Sequence, residues 1–122
     1  SKYDEAIKAV DEALWLDSNN SKAWFIKGSA LYRQDKYDDA VRAYDEAIRL
    51  ERNFTEAWFI KGIILYSQEK YDEAIQAYDE AIRLEPNLAE AWSLKSQALE
   101  ALSKTTEADA AFAKAKELGY DG

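Results

Sequence analysis

The chain has 122 residues, 24 acidic against 16 basic side chains and a formal charge of −8, so it lacks the surplus of Lys and Arg with which nucleic-acid binders displace counterions from phosphate. It contains neither Cys nor His, which removes disulfides, thiol nucleophiles, imidazole bases and the usual transition-metal sites together. No apolar run approaches the ~20 residues that a membrane-spanning helix needs, and the polar opening Ser-Lys-Tyr-Asp-Glu is no signal sequence, so a cytoplasmic protein, or a soluble fragment of something larger, is expected.

The first element is a helix over residues 3–17, with Tyr3, Ala6, Ile7, Val10, Ala13 and Leu14 on its apolar face. A second helix carries Trp24, Leu31 and Tyr32, and a third carries Tyr37, Ala40, Val41, Tyr44, Ala47 and Ile48. The polar stretch Gln34 to Lys36 separates them. The pattern then recurs. The stretch beginning Tyr-Asp at Tyr3 returns nearly unchanged at Tyr37 and Tyr71, each 34 residues on, with a worn copy from Thr105. Trp24, Trp58 and Trp92 keep the same spacing. Further breaks fall at Gln68 to Lys70 within a unit, and at Arg52 to Asn53 and Pro86 to Asn87 between units. A fixed period of this length, built of helix, turn and helix, specifies an all-α solenoid of seven antiparallel helices. Its expected divisions are 1–20, a second helix without its first, and complete units at 21–54, 55–88 and 89–122.

Helix starts are expected at Ser21 with Lys22, and at Asn53-Phe54-Thr55 with Glu56. Gly28 and Gly62 lie inside helices, where Gly costs up to ~1 kcal/mol against Ala. Close approach of a paired helix is the compensation to look for, with Ala40, Ala47, Ala74 and Ala81 as the small residues facing it.

Trp24, Gly28, Tyr37, Ala40, Tyr44 and Ala47, then Trp58, Gly62, Tyr71, Ala74, Tyr78 and Ala81, resemble the tetratricopeptide repeat family, and more closely its prokaryotic, particularly archaeal, members. The third unit keeps Trp92, Ala108, Phe112 and Ala115 but has Ser96 for Gly and Thr105 for Tyr. The usual Pro after the second helix survives only as Pro86, with Ser18 and Arg52 in its place elsewhere. Lys27, Lys61 and Lys95 replace the usual Leu, and their stems are expected to pack on apolar neighbours while the amines reach carboxylates such as Asp45 and Asp79.

The resemblance implies a right-handed superhelix whose concave wall is the first helix of each unit, and a non-enzymatic role in protein binding without cofactor or metal. Carried over, the groove comprises Lys22, Phe25, Ile26, Ser29, Tyr32 and Arg33, then Glu56, Phe59, Ile60, Ile63, Tyr66 and Ser67, then Glu90, Ser93, Leu94, Gln97, Glu100 and Ala101. The expected partner is an apolar or amphipathic peptide or helix, anchored by Phe25, Phe59 and Tyr66. The family's cochaperones hold a C-terminal carboxylate with a Lys/Asn/Arg clamp; here those positions carry Phe25, Ser29, Ile60, Glu90 and Leu94, which disfavours such capture.

The rival expectation is self-association, as a homodimer or end to end, through Tyr3, Ile7, Val10 and Leu14, the face that a missing first helix would cover, or through the groove, which a neighbouring helix of the same protein could also fill. The columns Ile7, Val41, Ile75 and Leu14, Ile48, Ile82 end in Asp109 and Lys116, as in a water-facing cap, so Gly122 is expected near a natural C-terminus and Ser1 at a cut inside a longer array. The three periodic Trp residues are expected in the core. Asp45 with Arg49 and Asp79 with Arg83 read as solvated pairs across one helical turn. Asp38 and Asp39 point apart with no base to work with, and no calcium-loop spacing appears.

Overall fold

The computed structural model describes residues 1–121, so Gly122 lies outside the described residues. Seven helices and no strand occur among them: α1 Lys2–Leu16, α2 Ser21–Arg33, α3 Tyr37–Leu50, α4 Thr55–Ser67, α5 Tyr71–Leu84, α6 Ala89–Ala101 and α7 Thr105–Glu117. The fold is all-α, as the period requires. Two compact units are present, Ser1–Ala57 and the residues from Trp58 on, and their boundary falls in the first turn of α4.

Local chemistry sets the helix ends. Ser1 and Asp4 form a capping box at α1. The start of α2 is capped by Asn20, whose side chain accepts from the Ala23 amide at 3.1 Å, and not by Ser21, which lies within the helix and donates to Glu51 Oε1 at 2.8 Å. In α3 and α5 carboxylates occupy the first turn and Arg49 or Arg83 the last, matching the helix dipole.

The turns inside the helix pairs share one backbone solution. After α2, the Lys36 amide donates to Leu31 O and the Asp35 amide to Tyr32 O, the two bonds of a Schellman cap. Equivalent bonds close α4 and α6, through Lys70 to Leu65 and Lys104 to Leu99. The residue at the left-handed position is Asp35, Glu69 or Ser103, with φ of 61°, 61° and 62°. A non-glycine residue there costs about 1 kcal/mol. Glu69→Gly is therefore expected to stabilise by up to about 1 kcal/mol, seen as a higher denaturation midpoint; a lower one would mean that chain entropy outweighs the relief.

In the first unit Val10, Leu14 and Ala23 form a buried cluster with Trp24 packed on it. Tyr44, fully buried, lies against Gly28, where an added Cβ would come within 3.0 Å of the ring. In the second unit Leu65, Ala74, Tyr78 and Ala98 form one cluster and Leu99, Ala108 and Ala111 another. There a Cβ on Gly62 would stand 2.6 Å from the fully buried Tyr78 ring. The glycines exist to let those rings in.

The Trp column departs from expectation. Trp24, Trp58 and Trp92 are half-buried at the edge of the core. The Trp24 indole donates to Ser18 O at 3.0 Å and that of Trp92 to Pro86 O at 3.1 Å, so the rings also fasten the preceding loops. The lysines behave as expected. Their amines lie 5.4–5.5 Å from the Trp ring centres, and Lys27 pairs with Asp11 at 2.8 Å and Lys95 with Asp79 at 2.7 Å. Arg49 and Arg83 pair three residues back, with Glu46 and Glu80, in place of the expected Asp45 and Asp79.

Candidate functional site

Residues 22, 26, 29 and 33 recur at helical spacing and form one outward stripe on α2. Ile26 is its apolar centre and is 50% exposed, while Lys22 and Arg33 at its ends are exposed as well. Ser29 is half-buried, its hydroxyl 3.0 Å from Tyr44 Oη. Burial pushes the Tyr44 phenol above its ordinary pKa, with the Ser29 hydrogen bond partly offsetting it.

The aromatic residues expected as anchors are already engaged. Phe25 stacks on Phe54 with centroids 4.8 Å apart and tilts against Tyr44 at 5.5 Å. Tyr32 pairs with Tyr37 at 5.9 Å, Phe59 with Tyr78 at 6.4 Å and Tyr66 with Tyr71 at 5.2 Å. All are half-buried apart from the fully buried Tyr44 and Tyr78, so the rings stiffen the helix pairs and leave only their edges to a partner. In the second unit Ile63, Tyr66 and Leu94 pack against the Tyr78 cluster, Ile60 is half-buried, and Gln97, Glu90 and Glu100 are exposed. Ser93, expected on the groove wall, is 3% exposed and belongs to the interior.

The face expected to be open on α1 is partly closed. Val10 and Leu14 are 9% and 8% exposed, covered by Ala23 and Trp24. Tyr3 and Ile7 remain half-exposed. The large apolar side chains that do stand in solvent are Trp15 and Leu16, at 85% and 79%. Periodicity hid Trp15 because it occupies the register of Arg49 and Arg83, a solvated position in the other units.

Two depressions mark the first unit. One, of about 390 Å³, is lined by Lys2, Tyr3, Ile26, Ser29, Ala30 and Arg33. Beside it the Asp4 carboxyl is held below its ordinary pKa, first by the Gln34 amide at 2.6 Å and then by Ser1. The other, of about 590 Å³, has Trp24, Leu31 and Ala43 as its apolar floor, and its cations Lys27, Arg42 and Arg49 are each paired with a carboxylate within the unit.

Helix pairs locked by a glycine under an aromatic ring, repeated every 34 residues, define an α-helical repeat scaffold. The chain belongs to the tetratricopeptide repeat family, whose model matches residues 1–53, 28–89 and 61–121. That family is one of protein-interaction scaffolds. No curated protein matches the chain.

Among solved structures, a crystal structure of MamA is 29% identical, with a TM-score of 0.93 over 95% of this chain and 68% of that one. A second MamA structure is also 29% identical, with a TM-score of 0.91 over 95% of this chain and 63% of the other. MamA 41-end from Desulfovibrio magneticus RS-1, at 24% identity and a TM-score of 0.90 over 96% of this chain and 66% of that one, shares the fold. The chain thus spans 63–68% of the length of these MamA chains. No helix among the described residues is long and apolar enough to cross a membrane.

Proposed function

We propose that the chain is a non-enzymatic cytoplasmic scaffold that binds an apolar or amphipathic peptide or helix on the outward faces of its Trp-bearing helices. Its repeat units would run 21–54, 55–88 and 89–122, with 1–20 in second-helix register. The observation that carries this reading is Ile26. A branched aliphatic side chain half in water, on a helix whose flanking rings are fixed by stacking, is a preorganised apolar contact. Phe25 and Tyr32 would extend it within the first unit, and in the second unit Phe59, Ile60, Ile63, Tyr66, Leu94 and Gln97 would offer a contact of the same kind through their exposed edges.

Selection from a random peptide library on phage tests the proposal. Peptides recovered on the wild-type chain should lose at least tenfold in affinity for Ile26→Glu, a fold-neutral change at an exposed position. Full retention of binding would sink the assignment of this face.

A second reading, self-association, is favoured by Trp15 and Leu16. Two adjacent large apolar side chains in water are a contact surface in search of cover. Light scattering across a hundredfold concentration range separates the two. A dimer that persists in Ile26→Glu favours α1, and a monomer throughout leaves the peptide reading alone.

A further inference from the structure

We propose that the 390 Å³ cleft between the start of α1 and α2 is a pocket for an acidic side chain carried within an aliphatic peptide segment; this rests on the reading of the α2 face as a peptide-binding surface. Three observations converge on it.

The first is register. The positions of Ser29, Ala30 and Arg33 are occupied in the next unit by Ile63, Ile64 and Ser67, and in the third by Gln97, Ala98 and Ala101. The first unit alone combines small residues, which leave the cleft empty, with a guanidinium at its edge.

The second is charge. The chain carries a formal −8, and Lys27, Arg42, Arg49, Arg83, Lys95 and Lys114 all sit in ion pairs with its carboxylates. Lys2 and Arg33, which line this cleft, make none among the described residues; since Lys8, Lys22, Lys36, Lys70, Lys104 and Lys116 make none either, it is the convergence of two cations on one cleft that marks it. The last turn of α2 favours a cation such as Arg33 through the helix dipole. That account does not extend to Lys2, which opens α1, where the dipole disfavours positive charge. Lysine recurs in this register at Lys36, Lys70 and Lys104, so Arg33 is the distinguishing cation.

The third is the floor. Ile26 and Tyr3 present apolar surface beside the two cations. Charge complementarity calls for a carboxylate and the floor for an aliphatic neighbour to it. A guanidinium binds carboxylate through two parallel hydrogen bonds, which makes the recognition geometric as well as electrostatic.

The test is a titration of the ¹⁵N-labelled full chain at low salt with three probes: Ac-Leu-Glu-Leu-NH2, Ac-Leu-Gln-Leu-NH2 and the free acid Ac-Leu-Leu. The Glu peptide should shift the amide signals of Ile26, Ala30 and Arg33, with an affinity at least fivefold above that of the Gln peptide. Arg33→Ser, which installs the second unit's residue at an exposed position, should erase the difference, and Ser29→Ile should weaken both peptides by filling the cleft. Equal binding of the Glu and Gln peptides overturns the pocket while leaving the face a peptide-binding surface. A charge preference shown by the free acid alone overturns it in favour of a chain terminus. Silence from all three probes overturns it too, and whether the face binds peptides at all is then read from the library selection, which requires no acidic residue.

Discussion

Gly62→Ala is expected to destabilise the chain by about 1–3 kcal/mol, although Ala is the better helix former by up to ~1 kcal/mol. The new methyl would stand 2.6 Å from Tyr78 Cε1 and 2.7 Å from Cδ1, and that ring is fully buried with nowhere to retreat. Gly28→Ala makes the same contact with Tyr44 at 3.0–3.1 Å. A few tenths of an ångström of adjustment relieve that one, so its cost should be the smaller of the two. Denaturant unfolding of both variants gives the ordering. A neutral or stabilising Gly62→Ala would show that the helices can move apart at little cost, and the close-approach account of the glycine column would fail.

The second large effect is expected at Val10. A glutamate there is placed against Leu14, Ala23 and the edge of Trp24, where Lys27, over the same Trp ring, is already paired with Asp11 at 2.8 Å, and a charge forced into a 9%-exposed site costs about 2–4 kcal/mol. The loss should be local. Amide exchange should show α1 losing protection ahead of α2 and α3, since Val10 is one of the buried side chains that fasten α1 to α2, while α2 and α3 keep their own close packing. If Val10→Glu instead leaves α1 protected and changes only the state of association, Val10 is a contact residue and its packing under α2 is wrong.

The contrast between Val10 and Trp15 shows what the repeat made legible and what it did not. A 34-residue period is enough to place helices, because each column reports one environment several times over. The family resemblance, and not the period, supplies Lys22, Ile26 and Arg33 as groove positions, and all three stand exposed on α2. The period is misleading at the ends of the array, where a column's environment changes while its residues do not. Val10 and Leu14 read as uncovered when the column is judged by the first helix of its own unit, yet α2 suffices to bury them. Trp15 shares the solvated column of Arg49 and Arg83 and stands in solvent as they do, so there the period gives the right environment and only the residue type is out of keeping with it.

Other features needed coordinates for different reasons. The turn residues Asp35, Glu69 and Ser103 adopt a left-handed backbone without the glycine that would have announced it. Asn20 and Ser21 are both competent caps, and only the backbone angles decide between them. Engagement of Phe25 by Phe54 depends on how the loop after α3 returns, which no local pattern encodes. At Ser96 the change from glycine is legible, but its outcome is not. The hydroxyl donates to Ala108 O at 2.9 Å, and Phe112, in the register of the buried Tyr44 and Tyr78, is 40% exposed with Tyr120 set edge-on at 6.2 Å.

The lysines held between a Trp ring and an aspartate have a further consequence. Lys27 joins α2 to the helix before it and Lys95 does the same for α6, so each clasp spans the joint between successive helix pairs. The joint inside the pair of α2 and α3 is closed by a glycine and a ring with no charge involved. Added electrolyte screens the first kind of joint and leaves the second untouched. Ionic strength is thus a dial on the ionic share of the grip of α2 on α1 and of α6 on α5, while the apolar clusters that cross the same two joints hold through any brine.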